Sequence, residues 1–321
     1  MAKNKLKIGI LFGGKSAEHE VSIISAKNII KALDKNKYDV LPIKIAKNGK
    51  FSLDFLNKVD IVFPVLHGPF GEDGSMQGLL KILNIPFVGP GVLASAISMD
   101  KDVMKKLFKE AGIPIGKFIT IKRNENLPFH KIKKTLGLPI FVKPANMGSS
   151  VGISKVKNEK EWSTAIKKAF MYDSKIVVEE NIIGQEIECS VMGNEDPIAS
   201  IPGEIISNAD FYSYDSKYID NKSVSKIPAN LSRNIIRKVQ ILAVTAFKAL
   251  NCEGMGRVDF FVKKNGQVLV NEINTIPGFT DISMYPKMWE AGGIALPELL
   301  DMLVQFAIER FDREQKLKTT V

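Results

Sequence analysis

Gly256-Arg257-Val258-Asp259-Phe260-Phe261 and Val268-Leu269-Val270-Asn271-Glu272-Ile273-Asn274 are two apolar runs joined through Lys263-Lys264-Asn265-Gly266. An Asn-Gly step between such runs is a strong signal for a β-hairpin. Asp259 stands in the first run. Glu272 and Asn274 stand two apart in the second, so they share one face of a strand. Three oxygen-bearing side chains thus converge across one hairpin, and Arg257 brings a positive charge to the same face. Hard oxygen ligands with an amide among them suit Mg²⁺ that also binds phosphates. The bland alternative is a solvated polar face. Carboxylates set inside Val, Leu, Ile and Phe runs are costly unless paired or metal-bound, which favours the metal.

Outward from the hairpin, the chain has 321 residues, 45% hydrophobic and 25% charged, ordinary values for a globular protein with two or three cores. No apolar run approaches the roughly 20 residues of a membrane span. The start, Met1 to Ile10, lacks the apolar core of a signal peptide. Two cysteines, Cys189 and Cys252, point away from a disulfide scaffold and toward a reducing compartment. The net charge is +10, yet residues 101–175 hold 17 Lys and Arg against 6 Asp and Glu, leaving the remainder at −1. Such a basic segment suits a nucleic-acid binder. Here it is mostly Lys with few aromatics, which favours a solvated lobe or one that holds a small polyanion.

Lys5–Phe12, Tyr38–Ala46, Asp60–Pro64 and Ile85–Val88 read as strands, with helices at Ser22–Leu33 and Gln77–Leu83. Strands alternating with helices imply an open parallel α/β sheet, which binds ligands at its carboxyl edge. A helix at Lys101–Ala111 opens a small basic α+β unit with strands at Leu138–Lys143, Gly152–Val156 and Ile176–Glu180 and a helix at Glu161–Phe170. A third unit starts near Glu186. It holds strands, a polar loop at Ser207–Ser225, a helix at Ser232–Leu250, the hairpin, and a helix from Pro297 to about Glu314. The expected units are 1–97, 98–186 and 187–321.

Lys143 ends a strand and is followed by Pro144-Ala145-Asn146-Met147-Gly148-Ser149-Ser150-Val151-Gly152. Small residues in a tight curve can aim backbone N–H groups at phosphate. The same residues can simply turn the chain, and Walker A spacing is missing. Glu179-Glu180-Asn181-Ile182 ends another apolar run, with Glu186 beyond it. Such a strand end can read an adenine edge and hold ribose hydroxyls, or be only a charged terminus.

Taken in order and spacing, Lys143, Gly148–Gly152, Glu179-Glu180, Arg257-Val258-Asp259 and Glu272-Ile273-Asn274 resemble the ATP-grasp superfamily. More narrowly the chain is similar to the D-alanine–D-alanine ligase family from end to end. The likeness also rests on Gly13-Gly14-Lys15-Ser16-Ala17-Glu18-His19-Glu20-Val21-Ser22, on His67–Gly78, on Ser98-Met99-Asp100-Lys101, and on Asn274–Thr280. It implies an ATP-grasp fold behind a parallel-sheet N-terminal domain, and synthesis of D-alanyl-D-alanine from two D-alanines and ATP through an acyl phosphate. It further implies two Mg²⁺, with Mn²⁺ able to substitute, a cytoplasmic homodimer, a place in peptidoglycan synthesis, and no nucleic-acid or membrane partner.

The resemblance carries roles residue by residue. Asp259, Glu272 and Asn274 hold metal. Lys101, Lys143 and Lys217 hold the phosphates. Ser150, Phe211 and Phe261 line the nucleotide site, with Glu179, Glu180, Asn181 and Ile182 at adenine and Glu186 on ribose. Glu18 anchors the first ammonium, and Ser283 the second carboxylate. Arg257 and the Gly278 N–H receive the oxyanion, and Ser149 with Tyr218 closes the gate. His67 is either near the first substrate or a surface residue. The hinge carries Glu180-Asn181 where many relatives have Lys and an aromatic residue. Rivals are a D-alanine–D-lactate or D-alanine–D-serine ligase, with Tyr214–Tyr218 bearing on the acceptor, and an ATP-binding regulator without catalysis.

Overall fold

The computed structural model describes residues 5–125, 127–207 and 223–318. The first unit runs β1 (Leu6–Gly13), α1 (His19–Ala32), β2 (Tyr38–Ile45), a 3₁₀ turn (Leu56–Lys58), β3 (Ile61–Val65), α2 (Ser75–Ile82) and α3 (Val92–Met99). Its sheet has the order β2-β1-β3, all parallel. The fourth strand expected at Ile85–Val88 is instead a single parallel bridge between Val62 and Phe87. Pro86 has no N–H to continue a ladder, so pairing stops there. Val62 N donates to Pro86 O at 2.9 Å and Val88 N to Val62 O at 2.9 Å.

The second unit comprises α4 (Lys101–Glu110), β4 (Phe118–Lys122), α5 (Phe129–Leu136), β5 (Ile140–Pro144), β6 (Ser154–Val156), α6 (Glu159–Ala169) and β7 (Lys175–Glu180). Asp100 caps α4, its side chain accepting from the N–H groups of Asp102 and Val103. The sheet is antiparallel, in the order β4-β7-β5-β6. Neither β4 nor α5 was expected. The helix is short and Lys-rich, yet it buries Phe129, Ile132 and Leu136 at helical spacing, the signal that marks it.

The third unit comprises β8 (Gln185–Gly193), β9 (Ile198–Ala199), β10 (Gly203–Ser207), β11 (Ser223–Lys226), α7 (Arg233–Ala249), β12 (Gly254–Val262), β13 (Val268–Asn274), α8 (Met284–Ala291) and α9 (Leu296–Gln315). The strand order is β11-β10-β8-β12-β13, with β9 beside β8. Both ends of the polar loop expected at Ser207–Ser225 are strand, Ser207 in β10 and Ser223–Ser225 in β11, which pair with each other, and residues 208–222 lie outside the described residues. The unexpected α8 buries Met284, Tyr285, Met288 and Trp289.

The C-terminal helix belongs to the first core. Leu299, Leu303 and Val304 of α9 join Ile8, Ile10, Phe63 and Val65 in one buried cluster. Arg310 of the same helix is 4% exposed, donates to the carbonyls of Phe87 and Gly89, and stacks over the Phe87 ring. A fully buried guanidinium is tolerated only because backbone oxygens and an aromatic face surround it. Among the described residues no single helix is long and apolar enough to cross a membrane.

Candidate active site

The expected hairpin is β12 paired with β13. Val258, Phe260 and Val262 turn into the core, while Arg257, Asp259 and Phe261 face a cleft of about 320 Å³. On β13 the register steps from Asp259–Glu272 to Phe260–Val270, so Asn271 is the extra residue of a β-bulge. The bulge decides the site. Val268, Val270, Glu272 and Asn274 have one parity, yet the valines are in the core and the polar pair is in the cleft. Without an extra residue, one strand face cannot serve both.

Asp259 is held on both oxygens. Arg257 Nε donates to Oδ1 at 2.7 Å and Arg257 Nη2 to Oδ2 at 2.8 Å. Asn274 Nδ2 donates to Oδ2 at 3.0 Å. The guanidinium also meets Glu188 Oε2 at 3.0 Å, so the expected oxyanion donor is engaged by two carboxylates in this structure. With its nitrogen on Asp259, Asn274 has Oδ1 left as the atom for a cation. Among the described residues no three His, Cys, Asp or Glu side chains cluster as a self-sufficient metal site. Two carboxylates and an amide oxygen fit Mg²⁺ whose other positions are filled by phosphate oxygens and water.

Opposite the hairpin stand three lysines, two of them buried and the third, Lys143, nearly so. Lys101 and Lys105 lie one turn apart on α4, and Lys143 lies on β5. Lys143 Nζ meets Glu179 Oε2 at 2.6 Å, and Lys105 Nζ meets Glu179 Oε1 at 3.0 Å. Burial pushes the Glu179 carboxyl up, but the two ammonium groups outweigh it and hold the group at about 2. Burial presses Lys143 down, and Glu179 and Glu272 more than reverse it. Lys101 is lowered, chiefly by burial. It donates to Met147 O at 2.6 Å.

That bond clamps one end of the loop between β5 and β6. Ser149 donates its hydroxyl to Glu18 at the other end. Ser149 and Ser150 have φ of 48° and 61°, a left-handed conformation that costs energy for residues other than Gly. Glu18 is 8% exposed and sits at the N-terminus of α1. His67 is buried, which settles its alternatives against the surface reading. Its Nδ1 pairs with Ile276 O at 2.9 Å, and its Nε2 has no hydrogen-bond partner among the described residues. Burial lowers its pKa, so the ring is held neutral. Glu72 accepts from Gly68 N at 2.7 Å and Ile276 N at 3.2 Å. Burial, with the charge of Glu18 adding to it, pushes this carboxyl up to about 8.

The cleft also gathers Ser150, Glu180, Asn181, Ile182, Glu186, Phe261 and Gly278. The Glu179 carboxylate is turned to the lysines, not outward, so only the backbone at that position remains for an adenine edge. Glu180 Oε1 accepts from Lys117 N at 2.8 Å. Phe141, Ile153, Ile182 and Phe261 supply apolar walls. Ser283 stands behind the lining. It caps nothing through its side chain, which meets Thr280 N at 2.9 Å and Thr280 Oγ1 at 2.8 Å. A Cβ on Gly278 would come within 2.8 Å of its Oγ. Phe211, Lys217 and Tyr218 lie outside the described residues, so of the expected gate only Ser149 is placed. Sequence reasoning missed Lys105, Glu72 and Glu188. Each lies in an ordinary-looking helix, turn or strand, and only the fold brings it to the cleft.

Family comparison gives a consistent answer. The family model described as D-ala D-ala ligase C-terminus matches residues 107–305, and that described as D-ala D-ala ligase N-terminus matches 7–55 and 52–90. The chain belongs to the D-ala D-ala ligase family. It is 48% identical to the D-alanine–D-alanine ligase of Oceanobacillus iheyensis, over 98% of this chain and 99% of that protein. The ligase from Coxiella burnetii superposes with a TM-score of 0.88 at 42% identity, covering 97% and 96% of the two chains. The ligase from Bacillus anthracis complexed with ATP superposes with a TM-score of 0.83 at 33% identity, covering 96% and 99%. The ligase family fold is the ATP-grasp fold, here preceded by the parallel three-stranded sheet.

Proposed function

We propose that the chain joins two D-alanines into D-alanyl-D-alanine with ATP, through a D-alanyl phosphate, releasing ADP and phosphate. One observation carries this reading: Lys101 and Lys143 face Asp259, Glu272 and Asn274 across a cleft that also contains Glu18 and Ser149. A carboxylate attacking a γ-phosphoryl group brings two anions together, and fixed cations lining the cleft offset their repulsion. Lys101 and Lys143 would hold the phosphates. Asp259, Glu272 and Asn274 would hold up to two Mg²⁺, with Mn²⁺ as substitute. Bound there, the metal neutralises charge on the transferring phosphoryl group.

Glu18 takes the ammonium of the first D-alanine, and neutral His67 lies beside the same substrate. The Gly278 N–H and Arg257 receive the oxyanion formed when the second amine attacks. For Arg257 this requires release from Asp259 or Glu188. Ser283 binds the second carboxylate once Thr280 gives way. Adenine rests on the backbone at Glu179–Ile182 between Phe141 and Phe261, with Glu186 on ribose. The product suits peptidoglycan synthesis in a bacterial cytoplasm, the three units fall at 1–97, 98–186 and 187–321, and the protein acts as a homodimer.

The test is phosphate release with ATP and D-alanine, repeated with D-lactate, D-serine and L-alanine. Release with D-alanine alone, and a dipeptide product by mass spectrometry, is expected. Faster release with D-lactate or D-serine as acceptor would reassign the second substrate. No release with any of them would leave an ATP-binding regulator.

A further inference from the structure

Lys105 is the least exposed of the lysines that line the cleft, at 3%. A lysine so deeply buried needs partners, and it has two. Its ammonium meets Glu179 Oε1 at 3.0 Å. It also donates to the backbone carbonyl of Asn271 at 3.1 Å. Asn271 is the bulge residue of β13, so its carbonyl is outside the regular ladder and needs a donor from elsewhere. The segment after α4 braces the same place, with Val270 N donating to Pro114 O at 2.8 Å. Lys105 therefore joins the strand end at Glu179 to the bulge that aims Glu272 into the cleft.

Glu179 has two cations for one carboxylate. Lys143 is the second, at 2.6 Å. Of the three donors of its ammonium, the one that Lys143 gives to Glu179 is lost to a nucleotide phosphate until this contact opens. When Lys143 leaves, a buried carboxylate with no remaining cation would be strongly unfavourable. We propose that Lys105 is a positioning residue: it stays on Glu179 and the Asn271 carbonyl, so that Lys143 can exchange from Glu179 to the phosphates of ATP. The inference rests on the reading that Lys143 holds phosphate.

The test uses the full chain and measures ATP affinity by calorimetry with excess Mg²⁺, and KM for ATP and for D-alanine by phosphate release. Lys105→Met should weaken ATP binding by about tenfold or more, because Glu179 then retains Lys143. The KM for D-alanine should change by less than about twofold. Adding Glu179→Gln should return ATP affinity to within about threefold of the unaltered chain, since no charge is then left to compensate. A role confined to packing would not be rescued by that second change. Unchanged ATP affinity in Lys105→Met, or a double variant as weak as the single one, overturns the proposal. If Lys105→Met does not fold, the double variant decides by the same threshold. Lys143→Met separates the two layers. Unchanged ATP affinity there overturns the phosphate reading and the exchange with it. Loss there without loss in Lys105→Met overturns the exchange alone.

Discussion

Glu272 projects from the strand end just beyond the bulge, into the field of Lys101 and Lys143. Glu272→Gln keeps the shape and removes one charge. Turnover should fall by about a hundredfold or more while the thermal unfolding midpoint stays within a few degrees. Full activity at saturating Mg²⁺ would remove Glu272 from the metal set. Glu72 gives a residue-scale prediction in stability. Its carboxyl has an ordinary value of 4.5 and is pushed up to about 8 by burial and by Glu18. Between those values the folded chain holds a proton that the unfolded chain has released. Stability contributed by this group therefore falls as pH rises through that window, by roughly 1.4 kcal/mol per pH unit, and levels off above it. Urea unfolding across the window should show this slope, and Glu72→Gln should flatten it. An equal slope in both chains would mean that Glu72 is ionised throughout.

The hairpin shows at element scale how far the sequence can be read. Its turn, its two runs and the convergence of Asp259, Glu272 and Asn274 were all legible, because strand periodicity and an Asn-Gly step are local signals. The bulge was legible in principle. Val268, Val270, Glu272 and Asn274 have one parity but two chemistries, and only a one-residue slip reconciles them. What could not be read was the partner of the bulge. Lys105 lies 166 residues away and meets Asn271 only through tertiary packing. Ser283 marks another limit, since a motif places its residue but not whether Thr280 already holds the hydroxyl. The prediction at this scale separates backbone from side chain. Deleting Asn271 sets Val270 beside Glu272 in a regular ladder, which keeps the valines on the core face and Glu272 in the cleft, so the chain should still fold, without the bulge carbonyl that Lys105 bonds. Asn271→Ala keeps the carbonyl and the register, so its circular dichroism and cooperative unfolding should match the parent. Loss of folded, soluble protein on that deletion would show that the bulge itself, and not the alternation of faces, holds the strand in register.

At the scale of the whole molecule, charge is concentrated where the sequence put it, in residues 101–175, which form α4, the four-stranded antiparallel sheet as far as the start of β7, and their helices. Lys105 and Lys143 of that segment are in the cleft, while Lys106 is on the outside with 65% of its side chain exposed. Such a lobe draws a polyanion toward the cleft, an effect that salt screens over about 8–10 Å. The association rate of ATP in stopped flow should therefore fall as ionic strength rises, with a smaller change in dissociation. A salt-independent association rate would limit the lobe to a solubilising role. The docking of α9 has a consequence of another kind, in the order of synthesis. The first sheet emerges from the ribosome early, yet its face at Ile8, Ile10, Phe63 and Val65 is covered by Leu299, Leu303 and Val304. About 230 residues separate the end of β3 from α9, which at roughly 5–20 residues per second means on the order of ten to fifty seconds of translation. During that interval a nascent chain carries an uncovered apolar face, and it is the much later α9, with Arg310 reaching back to Phe87 and Gly89, that lets the first sheet finish folding.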